Sequence, residues 1–140
     1  MIIYFFFSCE KNAKDSSVTI LDTKDRILYN YKASKDVNFS LNERYKAINS
    51  SFYSLNNKEV DTIYCKILYQ KNLIHLALKE YDSLKKFNKL LIKSAKQSKD
   101  NYILGSEYYL MGYYFSEVSN IPDSAFNNYN RSKNYFLKLS

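Results

Sequence analysis

A chain of 140 residues has room for one domain or a short open array of repeats. Its 46% hydrophobic content suffices for an ordered core, while two Gly and one Pro exclude a turn-rich β protein and any Gly-rich phosphate loop. A net charge of +7 favours acidic partners, anionic lipid or nucleic acid non-specifically, although Lys and Asn read as spread along the whole chain rather than gathered in one patch.

The first residues, Met1-Ile2-Ile3-Tyr4-Phe5-Phe6-Phe7-Ser8, are apolar and then switch abruptly to Cys9-Glu10-Lys11-Asn12. The apolar run is too short to span a membrane. Ser8 before Cys9 resembles the cleavage box of a bacterial lipoprotein signal, which implies lipid attachment at Cys9 and a true start upstream. The alternative is a short buried strand or helix end. Residues 11–17 are polar and read as a tether. Residues 18–33 fit no single pattern; Ile20, Leu21, Ile27, Leu28 and Tyr31 allow one short helix from about Lys24, and residues 34–38 form a break.

Ser40 is an N-cap candidate with Glu43 at the capping-box spacing. Leu41, Tyr45, Ile48, Phe52 and Leu55 follow at helical steps until Asn56-Asn57. This helix, 40–57, reads as the second half of an incomplete pair. A hairpin follows over 60–98: Val60, Ile63, Tyr64, Ile67, Ile74 and Leu78 mark its first helix, Tyr81-Asp82 its turn, and Leu84, Phe87, Leu91 and Ala95 its second.

Residues 101–140 form the clearest hairpin. Leu104, Tyr108, Met111, Phe115 and Val118 share one side of a helix, and Ala125, Tyr129, Phe136 and Leu139 share one side of the next. Pro122 with Asp123 opens the second helix, where a missing N–H is harmless and a carboxylate suits the dipole. Neither helix can bury its face alone, so the pair must stack on something similar.

Tyr108, Met111-Gly112 and Phe115, followed by Ala125, Tyr129 and Ser132, resemble the pattern of a tetratricopeptide repeat. The turn is one residue longer than in that family, and Ser132 stands where Ala is commoner. Asp82-Ser83 and Asp123-Ser124 lie 41 residues apart, beyond the family's period of about 34. The expected fold is therefore all-α: antiparallel helix-turn-helix repeats, a piece of an α-solenoid. Residues 1–9 would be a signal remnant, 10–39 a tether with weak helix, and 40–140 the repeats. The apolar last helix, with no polar capping face after it, implies an array that continues beyond Ser140.

The resemblance further implies a groove for a protein or peptide, lined at Ser106, Tyr109, Tyr113, Ser116 and Glu117. It extends to the amino-terminal arrays of Bacteroidetes-type lipoproteins and signalling regulators, whose histidine-kinase or helix-turn-helix output is not in this sequence. That implies the cell envelope, anchored on the periplasmic side through Cys9, or the cytoplasm if residues 1–9 are no signal.

The residues point to no enzyme, metal or cofactor. His75, the single histidine, has Glu80 five residues on, a poor helical spacing, and reads as a buried or groove-facing residue. Cys9 and Cys65 match no paired zinc-ligand spacing; a disulfide between them is conceivable outside the cytoplasm, and otherwise Cys65 is a buried thiol. Lys85, Lys86, Lys89, Lys93, Lys96 and Lys99 form a basic side of one helix that reads as a solvated outer face. Nucleic acid is the alternative partner and is not expected, because base stacking would need aromatics on that same face.

Overall fold

The computed structural model describes residues 12–55 and 61–140. Residues 1–9, Asn56-Asn57 and Val60, and the expectations placed on them, lie outside this range. The described residues are all-α: α1 (Asn12–Lys35), α2 (Leu41–Ser54), α3 (Thr62–Ala77), α4 (Tyr81–Gln97), α5 (Asn101–Tyr113) continued by a π-helical turn (Tyr114–Val118), and α6 (Pro122–Phe136).

Local chemistry starts these helices. Ser40 and Glu43 form the capping box of α2, with the Ser40 N–H donating to Glu43 Oε2 at 2.8 Å. Asp61 accepts from the Tyr64 N–H at 2.8 Å and Asp100 from the Ile103 N–H at 2.9 Å, capping α3 and α5. Pro122 occupies the first turn of α6.

The stops after α3 and α4 share one device. Lys79 and Lys99 adopt left-handed φ of 61° and 55°. The Glu80 N–H donates to the His75 carbonyl and the Lys79 N–H to that of Leu76; Asp100 and Lys99 repeat this pattern with Ala95 and Lys96. These are Schellman turns with Lys where Gly is usual. The α3–α4 turn is therefore Leu78-Lys79-Glu80, and Tyr81-Asp82, expected as the turn, already belongs to α4. Asn120, at φ 51°, serves the same end after the π-helical turn.

Helices joined by such short connections become antiparallel neighbours. α1 packs on α2, α3 on α4, and α5 on α6; α2 against α3, and α4 and α3 against α5, join these pairs in a row. The expected lone helix at 40–57 thus has a partner. That partner is α1, which runs through most of the expected tether and extends to Lys35 before the chain breaks. Ser51 Oγ donates to the Ile27 carbonyl at 2.8 Å and ties the two helices.

α3 and α5 are buried on most of their circumference, whereas α4 and α6 bury one side. Ile27, Ile48, Ile67 and Ile74 fill the space between α1, α2 and α3. Cys65, Leu68, Leu91, Ala95, Leu104 and Tyr108 fill that between α3, α4 and α5. Leu84, Leu110, Met111 and Tyr114 continue it toward the π-helical turn. Leu139, expected on the buried side of the last helix, lies past its end and is exposed, and Phe136 is partly exposed.

α5 and α6 approach each other closely at two glycines. A Cβ on Gly112 would lie 2.7 Å from the Tyr129 ring, and one on Gly105 would lie 2.8 Å from the Phe136 ring. Ser132, the small residue between these aromatics, donates to the Gly105 carbonyl at 2.8 Å. Gly112→Leu should therefore force Tyr129 outward and lower unfolding stability by about 1–3 kcal/mol in urea denaturation; an unchanged midpoint would mean that α6 yields without cost.

Candidate functional site

α3 and α5 are first helices of consecutive pairs, and an open cleft runs between them. It encloses about 570 Å³ and is lined by Leu73, Leu76 and Ala77 of α3, by Tyr113, Glu117 and Val118, and at its end by Lys79 and Tyr81. Apolar side chains form one wall, and a tyrosine and a carboxylate stand on the other. Such surfaces suit protein contacts, where Tyr offers large area with a polar tip.

The residues expected to line a groove divide as follows. Tyr113 and Glu117 line the cleft. Ser116 is half-buried and donates to Glu117 Oε1 at 2.7 Å, which orients that carboxylate. Tyr109 is exposed but leans away, its ring 5.5 Å from that of Tyr129 on α6. Burial first, then Tyr109, Glu117 and Tyr113, raise the Tyr129 hydroxyl pKa. Ser106 is buried and is not among the residues lining the cleft; its hydroxyl opposes the rise that burial gives the Tyr69 pKa. α3 packs against α5, and Ser106 is buried on α5. Cys9 lies outside the described residues.

Behind the cleft is a polar cluster that pattern reading missed. Glu107 of α5 is fully buried, and its Oε1 accepts from Asn72 of α3 and from Asn88 of α4, each at 2.7 Å. Glu107 Oε2 and Asn72 Oδ1 are buried without a hydrogen-bond partner. Burial pushes the Glu107 carboxyl up to about 7, against the opposing effect of the two amides. One signal was visible: Glu107 is the single charged residue between positions 101 and 116.

A second cluster joins α2, α3 and α4. Lys71 is buried, donates to Asn49 Oδ1, and sits over the rings of Phe87 at 4.8 Å, Phe52 at 5.3 Å and Tyr45 at 5.5 Å. Burial lowers its pKa, while the charge of Glu80 opposes that. Aromatic faces attract a cation and take the place of lost water.

His75 is beside it, stacked on Phe87 at 5.4 Å with its Nδ1 2.7 Å from Glu80 Oε2. The spacing of five that argued against contact applies within a helix. Here the left-handed turn at Lys79 folds Glu80 back onto α3. Burial holds His75 below the usual imidazole range, so the ring is neutral near pH 7 and its Nδ1–H donates to Glu80. Nε2 is buried and has no hydrogen-bond partner, so no hydroxyl or thiol among the described residues is placed for it to activate. Cys65 is buried with Sγ 3.7 Å from Ser98 Oγ, and burial raises its pKa, which keeps it an unreactive thiol.

Glu107 gives a pH dependence of definite sign. Between its ordinary 4.5 and about 7, the folded chain holds a proton that the unfolded chain has released. Stability contributed by this group is therefore full below that window and is lost as pH rises through it, by about 3 kcal/mol in all. His75 acts oppositely: its lowered pKa costs stability as pH falls below the usual 6.5. Glu107→Gln keeps an oxygen for both asparagine amides. Subtracting its unfolding curve from that of the parent between about pH 4 and about pH 8 should isolate the carboxyl, with the parent losing ground at high pH. A flat difference would show that water reaches the site.

No protein-family model, curated protein or solved structure matches this chain.

Proposed function

We propose that the chain is a non-enzymatic scaffold of tetratricopeptide type that holds a peptide or protein segment in the cleft between α3 and α5. The observation that carries this reading is the cleft itself: an apolar wall of Leu73, Leu76 and Ala77 faces Tyr113 and Glu117, two of the positions at which the repeat pattern places ligand contacts. Support also comes from the helices pairing in sequence order and from Gly112 seating the Tyr129 ring, as the repeat pattern requires. On this reading the ligand is an extended segment with apolar side chains, and Glu117 selects a basic or amide group beside them.

The wider context follows from the same resemblance. The array is the amino-terminal, partner-sensing part of a bacterial signalling regulator, held at the envelope by lipid on Cys9. Ligand occupancy of the cleft would fix the angle between α3 and α5 and so pass a signal along the row.

Peptides selected from a random displayed library against the chain test the cleft. Tyr113→Ala should weaken a selected peptide on the order of tenfold, in the range of an aromatic contact residue. Tyr29→Ala, at an exposed site on α1, should leave it unchanged. Equal affinity for both variants would remove the cleft from consideration. A salt titration separates the nucleic-acid alternative, since a phosphate-driven complex weakens steeply with salt and an apolar groove complex does not.

A further inference from the structure

The positive charge of this chain is not spread evenly. Residues 81–99 contain six lysines and one aspartate, and so hold five of the seven excess charges. The other 15 basic residues are distributed from Lys11 to Lys138, and Glu80 and Asp100 flank this stretch. On α4, Lys85, Lys86, Lys89, Lys93 and Lys96 fall within about 100° of arc and span about 16 Å, with Lys99 following in the turn. All six are exposed. The buried side chains of α4, Leu84, Leu91, Ser94 and Ala95, lie on the opposite side, where α4 meets α3 and α5. Asp82, 3.8 Å from Lys85, is the one carboxylate in this stretch.

We infer that the lysine face of α4 is a docking surface for a membrane carrying anionic phospholipid headgroups. The reasons are in the shape and chemistry of the stripe. It is a ridge along one helix, and the cavity at its amino-terminal end, lined by Lys79 and Lys85, also holds Glu80 and Asp82, whose carboxylates oppose a discrete anion. It contains only lysines, which act as point charges, and no arginine forks of the kind that grip individual phosphates. It carries no aromatic side chain for stacking bases. A row of solvated ammonium groups on a helix suits a diffuse, laterally mobile sheet of negative charge. Docked this way, the array would lie with α4 against the bilayer and the α3–α5 cleft turned away from it. The inference does not depend on lipid at Cys9 or on the proposed peptide ligand.

Co-sedimentation of the full chain with vesicles tests it. Binding is expected to vesicles of phosphatidylcholine containing one-third phosphatidylglycerol, and not to phosphatidylcholine alone. Replacing Lys85, Lys89, Lys93 and Lys96 by Gln should weaken binding on the order of a hundredfold, since each lysine near an anionic surface adds to the attraction. Replacing Lys24, Lys32, Lys35 and Lys46, exposed on α1 and α2, removes the same charge and should change binding only a few-fold. Lys89→Glu with Lys93→Glu is a second variant should the fourfold one fail to fold. Equal loss in the α1–α2 control, no preference for anionic vesicles, or tighter binding to random duplex DNA at the same salt through the same lysines would each overturn the inference.

Discussion

A helix buried on most of its circumference has to satisfy its polar side chains without water, and α3 is such a helix. Gln70, Lys71, Asn72 and His75 are all buried on it. Each reaches a different neighbour. Gln70 donates to the Ser34 carbonyl of α1, Lys71 to Asn49 of α2, and Asn72 to Glu107 of α5, while His75 pairs with Glu80 just before α4. An unmade bond at any of these would cost on the order of 1–3 kcal/mol. The register of the whole row is thereby tied to one rod. Apolar contacts alone would let neighbours slide by a turn; these directional bonds do not.

The three ionisable groups at the centre are held by different means. Lys71 has aromatic faces and one amide oxygen, His75 is kept neutral by burial, and Glu107 has two amides and no cation. Buried charge is costly, and polar networks that remain incompletely satisfied are more often sites of adjustment than of rigidity. Glu107 bridges the second pair of helices to the third, so its protonation bears on the joint between them. That joint also forms the cleft.

Two surfaces of different character result from this arrangement. The cleft between α3 and α5 is concave, mixes apolar and polar side chains, and is lined by Tyr113 and Glu117. The outer side of α4 carries lysines. Because α4 meets α3 and α5 through its opposite side, the cleft proposed for a peptide and the lysine face proposed for a membrane are separate surfaces.

Much of the helical order was legible in the letters. The Ser40–Glu43 box, Pro122 with Asp123, and the apolar spacing of 101–140 announce helices because capping and amphipathic burial are local effects. Gly112 was legible as a point of close approach, since Gly inside a helix has few other reasons. The turn before α4 was not legible. Lys79 and Lys99 adopt left-handed backbone without a Gly or Asn to announce it, held there by Schellman hydrogen bonds and by the packing of the helices they join. The pairing of α1 with α2 was hidden by the polar letters around residues 12–17, which form helix in spite of them. Tyr113 and Glu117 line the cleft, whereas Ser106 is buried, a difference that spacing within one hairpin does not show. By itself the sequence determined that this is a chain of amphipathic rods with a positive excess. Only the tertiary structure decided that Asn72, Asn88 and Glu107, far apart in the chain, share one buried site, because burial and facing depend on which rods are neighbours.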